Sequence, residues 1–223
     1  MSDTADVIVI GAGVQGASLA FHLASRGSSV VVLERSTVGA GATGRSSGLV
    51  RLHYDLLAET RLAWASFPYF REWGERVGGE CGFTNTGFLW IEPASGADRL
   101  RANVADHRDL GIETSVVDAP EMRRIAPGLA VDDDEVAAYE PGSGYADPSG
   151  TASGFMRAAR DRGARLFQGA GVIQPGRGAI PGPRAPTRPR NRRRLADTGP
   201  PAPPAQPRPS PPRPSPPRPG DPE

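Results

Sequence analysis

Three glycines at the spacing Gly11-x-Gly13-x-x-Gly16, followed 18 residues later by the carboxylate of Glu34, have the clearest chemical meaning in this sequence. Gly11 is expected to make a tight turn out of a strand, Gly13 to let a pyrophosphate approach the backbone, and Gly16 to let a helix pack closely on that strand. The start of such a helix offers unpaired N–H groups and partial positive charge to phosphates. Glu34 would accept hydrogen bonds from the ribose hydroxyls of an adenosine. We therefore predict a dinucleotide site; the alternative is a glycine-rich turn without a ligand.

The residues around these glycines predict a β-α-β unit. Asp6–Ile10 is a short β-branched run, typical of a strand buried on both faces. Val14–Arg26 has the broad apolar face of a helix, and Gly27 stands where a glycine commonly ends one. Ser29–Leu33 is a second buried run. Two such strands joined by one helix are expected to be parallel, with a right-handed crossover.

The dinucleotide could be NAD(P) or FAD. Glu34 disfavours the 2′-phosphate of NADP, although Arg35 beside it weakens that argument. The loop Ser36–Gly48 favours FAD, because in a simple nicotinamide dehydrogenase the second strand usually leads quickly into another helix. This loop is rich in glycine and hydroxyl groups and contains Arg45, so it could lie over a pyrophosphate and reach a flavin ring with backbone N–H groups. The alternatives are an ordinary surface loop and an NAD(P)-dependent dehydrogenase.

The rest of the first 174 residues predicts a mixture of helices and strands. We expect helices at Leu56–Val77, Asp98–Leu110, Pro120–Ile125 and Ser149–Arg162, and strands at Gly87–Ile91, Val136–Tyr139 and Ala164–Gln168. Pro68 is expected to kink the first of these helices or to start a second one. The aromatic residues between positions 64 and 73 are expected to lie in the core, and the acidic run Asp132–Glu135 in a solvated turn.

The composition divides the 223 residues into two parts. Residues 1–174 contain 16 Arg and 22 acidic residues, a net charge of −6, whereas residues 175–223 contain 10 Arg and 3 acidic residues, a net charge of +7. Eighteen of the 24 prolines lie in the second part and every aromatic residue in the first. The second part therefore cannot bury enough apolar area to offset its loss of conformational entropy, and we predict a disordered Pro/Arg-rich tail. The alternative is a linker that binds SH3-like grooves through PxxP segments or nucleic acid through Arg192–Arg194.

The fold class that follows is α/β. We predict a Rossmann-like FAD/NAD(P)-binding βαβ portion over residues 1–80, part of an α+β substrate domain over residues 81–174 that returns toward the first portion, and the tail over residues 175–223.

Other classes of protein and site are not expected. The single cysteine, Cys81, excludes an internal disulfide framework and a cysteine-based zinc site, and the three histidines show no metal-ligand spacing, so we predict no metal site. No run reaches the roughly 18 apolar residues of a membrane span. The acidic beginning of the chain and its glycine-interrupted apolar run indicate folded structure rather than a secretory signal. We expect the protein to act in a reducing, cytoplasmic compartment. We expect no nucleic-acid partner.

The stretch VIVIGAGVQGASLAFHLASRGSSVVVLERSTVGAGATGRSSGLVRLHY resembles the N-terminus of the D-amino-acid oxidase-like flavoenzymes. The resemblance is strongest to the branch that contains the sarcosine oxidase β-subunit, glycine oxidase and dimethylglycine dehydrogenase. It continues through GFLWI and through Gly144–Ala170, and covers roughly residues 5–173. It implies an FAD enzyme that oxidises the C–N bond of a small amino acid or N-methylated amino acid, and passes the electrons to oxygen or a carrier.

The same resemblance assigns site residues. The residues expected to hold the pyrophosphate are Gly11, Gly13, Val14, Gln15 and Gly16. Glu34 and Arg35 are expected at the adenosine, and Val172, as a strand residue, is expected to meet the adenine with its backbone. The residues expected along the pyrophosphate and flavin are Thr43, Arg45, Ser46, Ser47 and Gly48. Arg51 aligns with an arginine that binds the substrate carboxylate, a role that suits a guanidinium. The alternative is a surface arginine paired with Asp55 or Glu59. His53 is expected to pack rather than to face the flavin.

The resemblance stops between Gly171 and Gln174, where the family continues with further strands and a later glycine-rich flavin segment. With 26 Arg and no Lys, the composition is typical of a GC-rich gene, and our leading hypothesis for the tail is a frameshift or a truncated gene. We expect an exposed sheet edge and no turnover by this chain alone. The missing half could come from another chain, as a hetero-oligomer. The remaining alternative is a non-catalytic remnant that acts through its tail.

Overall fold

The computed structural model describes residues 4–172, and the fold below is that of these residues. In chain order the strands and helices are β1 (Val7–Ile10), α1 (Val14–Ala24), β2 (Val30–Glu34), β3 (Leu49–Val50), α2 (Leu57–Arg71), α3 (Trp73–Arg76), β4 (Thr84–Asn85), β5 (Phe88–Glu92), α4 (Ala97–Asp109), β6 (Ser115–Asp118), α5 (Ala119–Ile125), β7 (Val136–Glu140), β8 (Gly144–Tyr145), α6 (Pro148–Asp161) and β9 (Arg165–Gln168). Short 3-10 turns lie at Thr43–Arg45 and Ala94–Gly96.

The predicted β-α-β unit is confirmed. β1 and β2 are parallel, with Val9 opposite Val32, and α1 connects them. Gly27 follows α1 with a φ of +83°, and the Ser28 N–H donates to the Leu23 carbonyl, so the glycine ends the helix as expected. β9 adds a third parallel strand on the other side of β2, which gives the order β1-β2-β9.

One face of this sheet is covered by α1 and α6. Phe155 of α6 lies at the centre of the core, with its ring 5.4 Å from that of Phe21 and 4.6 Å from that of Trp73. Phe67 and Trp73 are buried, as predicted for the aromatic residues of this region. Leu62, which belongs to the same predicted helix, is 71 % exposed and contributes nothing to the core.

The other face of the parallel sheet carries exposed apolar side chains. Ile10 of β1 and Phe167 of β9 flank Leu33 of β2 in register, and they are 60 % and 46 % exposed. Ile8 on the same face is 53 % exposed. Since β1 and β9 each have only one neighbouring strand among the described residues, the expectation of exposed edges agrees with this sheet.

Two antiparallel sheets complete the described fold. The first contains two-residue strands in the order β3-β8-β4, and the second has the order β5-β7-β6. α4 and α5 pack against the second sheet through Leu100, Val104 and Met122. The predicted strands at Gly87–Ile91 and Val136–Tyr139 correspond to β5 and β7, which each extend one residue further, to Glu92 and Glu140.

Of the two interpretations of Pro68, the start of a second helix was wrong, and a kink stays a prediction. Pro68 lies inside α2, and the helix continues to Arg71. The break falls at Glu72, whose φ of −120° and ψ of 33° are not helical and which separates α2 from α3. A proline this close to the helix end removes one backbone hydrogen bond without ending the helix. The acidic run is solvated as expected, with Asp133 paired to Arg123 at 2.6 Å.

The described residues, 4–172, belong to one compact unit. The division of this unit at residue 80 stays a prediction. The tail at residues 175–223 lies outside the described residues. Within residues 4–172, no helix is long and apolar enough to cross a membrane.

Candidate functional site

The glycine turn brings the strand and the helix of the β-α-β unit into close contact. Gly11 has a φ of +95°, a conformation that favours glycine, and its N–H donates to the Leu33 carbonyl at 2.8 Å. A Cβ atom at Gly16 would overlap the Gly11 carbonyl oxygen and would lie 3.2 Å from Cγ1 of Val9. The roles predicted for the first and third glycines therefore match the structure.

The start of α1 is open on the side where a ligand would approach. Gly13 precedes the helix and offers no side chain to cap it, so the first N–H groups have no acceptor within the helix. The Val14 N–H donates to Oγ1 of Thr43 at 2.9 Å, and a Cβ at Gly13 would lie 3.1 Å from that oxygen. The loop predicted to lie over the pyrophosphate is thus fixed at the helix start. Gln15 is exposed beside it.

Glu34 connects the glycine turn to the beginning of this loop. Its Oε2 accepts from the Ala12 N–H at 2.7 Å, and its Oε1 accepts from the Ser36 N–H at 2.8 Å. These two hydrogen bonds lower the pKa of Glu34 below its ordinary value. An ionised carboxylate has about four acceptor positions, so two remain for ribose hydroxyls.

The end of the described chain runs beside Glu34 and Arg35. The Ala170 N–H donates to the Glu34 carbonyl at 2.9 Å, and a Cβ at Gly171 would lie 3.9 Å from Cβ of Arg35. Val172 follows and is exposed. The prediction that Val172 belongs to a strand was wrong: β9 ends at Gln168, and Gly169 turns the chain with a φ of +71°.

The loop encloses a small cavity at the start of α1. It has a volume of about 160 Å³ and is lined by four of the predicted residues, Val14, Thr43, Ser46 and Gly48, together with Ala146, which follows β8, and Pro148 and Thr151 in the first turn of α6. The Ala146 N–H donates to the Gly48 carbonyl at 2.9 Å, which fixes the far end of the loop. Arg45 and Ser47 are exposed and do not line this cavity.

Arg51 lies among aromatic rings rather than among carboxylates. Its guanidinium carbon is 4.4 Å from the centroid of the Tyr54 ring, 4.8 Å from that of Trp90 and 5.7 Å from that of Phe88. Its Nη1 donates to the His53 carbonyl at 2.8 Å. Neither predicted pair, with Asp55 or with Glu59, forms among the described salt bridges. The guanidinium is therefore held by aromatic rings and a backbone carbonyl, and among the described residues it forms no salt bridge, although the buried Glu140 interacts with its charge.

Two buried residues that the sequence analysis did not assign to a site lie next to Arg51. The ring of His53 stacks on Trp90 and is fully buried, as the prediction of packing expects; burial and the neighbouring His107 lower the pKa of His53 to about 4. Glu140 is 1 % exposed and accepts from the Leu52 N–H at 2.9 Å. Burial raises the pKa of Glu140, and the Leu52 N–H is the largest opposing effect. The position of Glu140 at the end of an apolar strand was the signal for it in the sequence.

Comparison with known proteins identifies the family. The profile of the DAO family, described as FAD dependent oxidoreductase, matches residues 6–185, a little further than the resemblance read from the residues. The chain belongs to this family. Family membership decides the choice of dinucleotide in favour of FAD over NAD(P).

The relatives that match this chain are longer than the chain itself. The chain is 33 % identical over 178 residues to mitochondrial sarcosine dehydrogenase of Homo sapiens and covers 19 % of it with 75 % of its own length. It is 32 % identical over 169 residues to monomeric sarcosine oxidase of Streptomyces avermitilis, covering 44 % of that protein with 74 % of its own length. Among solved structures, L-proline dehydrogenase from P. horikoshii is similar with a TM-score of 0.69 and 27 % identity, over 75 % of this chain and 45 % of that one. The chain therefore spans less than half the length of these relatives.

The residues present fit the adenosine and pyrophosphate of FAD. The first turn of α1 supplies N–H groups beyond that of Val14, which donates to Thr43; Gly13 adds no side chain to the approach, and Glu34 retains acceptor positions. The sequence reasoning missed the hydroxyl of Thr43 as the group that fixes the loop, and the aromatic surroundings of Arg51, because both contacts join segments far apart in the chain.

Proposed function

We propose that this chain is the FAD-binding part of an oxidoreductase that oxidises the C–N bond of a small amino acid or N-methylated amino acid, such as glycine or sarcosine. The observation that carries the proposal is the placement of Arg51 among aromatic rings, with no salt bridge to its guanidinium among the described residues. A guanidinium binds a carboxylate through two parallel hydrogen bonds, and the surrounding rings restrict it without using its donors. The names of the relatives, sarcosine dehydrogenase and sarcosine oxidase, support a substrate that carries such a carboxylate.

The proposal gives the cofactor-site residues the following roles, which their positions around the start of α1 support. The backbone of Gly13, Val14, Gln15 and Gly16 would hold the pyrophosphate, Glu34 and Arg35 the adenosine, and the loop from Thr43 to Gly48 the side nearest the flavin. FAD, when bound, supplies a two-electron acceptor for the carbon next to the substrate nitrogen. Arg51 would orient the substrate by its carboxylate, and the apolar rings around it would exclude water.

FAD binding is tested by titrating the purified full chain with FAD and following the quenching of flavin fluorescence. We expect saturable binding of one FAD per chain. Glu34→Ala should weaken this binding at least about ten-fold, since it removes acceptors of ribose hydroxyls. The control is Glu59→Ala, which removes an exposed carboxylate on α2. Absence of FAD binding by the wild-type chain, or equal loss in both variants, contradicts the proposed site.

The role of Arg51 is tested with the FAD-loaded chain and (methylthio)acetate, a carboxylate in which sulfur replaces the amine nitrogen of sarcosine. Binding is read from the change in flavin absorbance. Arg51→Gln should weaken it roughly 10- to 100-fold, the effect of losing hydrogen bonds to a charged group. Arg61→Gln, an exposed arginine on α2, should leave it unchanged. Equal affinities in the two variants would assign the carboxylate to another residue.

The remaining features of the proposal concern partners and location. The electron acceptor would be oxygen or a carrier protein. A free, buried Cys81 is compatible with the reducing conditions of the cytoplasm, where we propose that the protein acts. Turnover would require the groups that the longer relatives supply beyond the region matched here, from the same polypeptide or from a second chain in a hetero-oligomer.

A further inference from the structure

Two of the three histidines in the sequence lie close to a buried carboxylate between the β5-β7-β6 sheet and α4. His53 follows β3, His107 lies in the last turn of α4, and Glu140 is the last residue of β7. The three side chains are at most 1 % exposed. One nitrogen of each ring and one carboxylate oxygen lie within 4.8 Å of one another. Spacing in the sequence does not reveal this group, because its members are separated by 54 and 33 residues.

Four polar side-chain atoms of this cluster lack hydrogen-bond partners among the described residues. Both ring nitrogens of His53, Nδ1 of His107 and Oε1 of Glu140 are buried and unpaired. Buried polar atoms are nearly always paired, so four such atoms in one place require an explanation. A bound cation would be coordinated by one nitrogen of each imidazole and by one carboxylate oxygen, and would so give each side chain a partner.

The outer hydrogen bonds hold these side chains in the orientation that ligands need. Oγ1 of Thr60 lies 3.0 Å from Nε2 of His107, and in the tautomer with the ring proton on Nε2 this contact leaves the lone pair on Nδ1. Oε2 of Glu140 accepts from the Leu52 N–H and from the Ser143 hydroxyl at 2.8 Å, which leaves Oε1 for a cation. Partners of this kind orient histidine and carboxylate ligands in metal sites.

The charges nearby favour a cation on balance. Asp55 and Glu92 act on His53, and Asp106 acts on His107, each as a negative charge. Arg51 is the positive charge that acts on both Glu140 and His53. Three carboxylates outside the cluster and one within it therefore outnumber one guanidinium.

We propose that His53, His107 and Glu140 bind one divalent transition-metal ion, with Zn²⁺ the best match. Two imidazoles and one carboxylate are a common ligand set for zinc with a fourth position open, whereas Mg²⁺ and Ca²⁺ prefer oxygen ligands. Bond lengths of about 2.0–2.2 Å in a tetrahedral site require ligand atoms that are up to 4.8 Å apart to approach one another by as much as roughly 1.4 Å. The ion would connect the segment that carries Arg51 to α4 and to β7. This metal site does not depend on the proposed function, and its test uses neither FAD nor substrate.

The experiment measures Zn²⁺ in the full chain after treatment with a chelator, titration with Zn²⁺ and gel filtration. We expect one Zn²⁺ per chain in the wild type and an increase in Tm when Zn²⁺ is added. His107→Gln and Glu140→Gln should each abolish both effects. His22→Gln is the matched control, because His22 lies on α1 away from the cluster and should leave both unchanged. Thr60→Val should weaken Zn²⁺ binding about ten-fold by removing the partner of His107.

Two results would overturn the proposal: a wild-type chain that retains no Zn²⁺, or cluster variants that retain as much as the His22→Gln control. If the cluster variants fail to fold, X-ray absorption at the zinc edge of the wild-type chain decides the matter. Two imidazole ligands per zinc are expected, and a spectrum without imidazole refutes the assignment.

Discussion

Gly48 should be the glycine of the cofactor loop that is least tolerant of substitution. It has a φ of +70°, and a Cβ there would overlap the Ala146 carbonyl oxygen and lie 3.1 Å from Cγ of Pro148. Gly48→Ala therefore combines two costs: about 1–2 kcal/mol for a left-handed conformation and about 1–3 kcal/mol for overpacking against backbone.

Two other glycines separate these costs. Gly27 has a φ of +83°, and a methyl group at this position would meet nothing within 4 Å, so Gly27→Ala carries the conformational cost alone. Gly41 lies in the same loop as Gly48, has no positive φ and also has open space, so Gly41→Ala should change stability by no more than about 0.5 kcal/mol. Urea unfolding followed by circular dichroism measures all three.

The expected order of destabilisation is Gly48→Ala, then Gly27→Ala, then Gly41→Ala. The difference between the first two measures the overlap with Ala146, which lies between β8 and α6. If Gly48→Ala destabilises the chain no more than Gly27→Ala does, the loop shifts without cost, and the reasoning that the hydrogen bond from Ala146 fixes it is refuted. In that case the cavity beside the loop is adaptable rather than preformed.

Three further predictions concern single residues. The pKa of Glu34 is lowered in the folded chain, so the stabilisation by its carboxylate is complete above the unfolded-state pKa of about 4.5 and is lost as the pH falls through the folded-state pKa. Glu34→Gln should remove this part of the pH dependence of the unfolding free energy, measured by urea unfolding at several pH values. An unchanged pH profile in the variant would contradict the prediction. Burial raises the pKa of the Cys81 thiol, which is 3 % exposed, so it should react with a thiol reagent only after unfolding; rapid reaction of the native chain would show local opening. Phe155→Ala should lower the free energy of unfolding by about 3–5 kcal/mol, because the ring packs on Trp73. Leu62→Ala, at an exposed position, should leave the free energy of unfolding almost unchanged. Similar urea midpoints for the two variants would argue against the described core.

The sequence predicted the parts of the fold whose signals are local. The glycine spacing, the two β-branched runs and the helix between them specify the β-α-β unit, and the acid after the second run specifies the position of Glu34. The two-residue strands β3, β4 and β8 were not predicted, because two residues show no periodicity. Their pairing depends on contacts such as that between Leu49 and Tyr145, which are 96 residues apart.

The candidate sites divide in the same way. The cofactor residues up to Gly48 follow one another in the sequence, so a motif could reveal them. Arg51 could be proposed from the motif, but its aromatic neighbours Phe88 and Trp90 come from β5 and depend on how the sheet packs. The cluster of His53, His107 and Glu140 exists only in three dimensions, and no spacing rule would find it.

Glu34 holds the glycine turn and the entrance of the loop together before a nucleotide arrives, through Ala12 on one side and Ser36 on the other. The adenosine end of FAD would therefore dock onto a rigid surface rather than close one around itself. In stopped-flow mixing this predicts a single phase whose rate rises linearly with FAD concentration, because no slower rearrangement limits association. The dissociation rate constant of the nucleotide, rather than its association rate constant, would then determine differences in affinity.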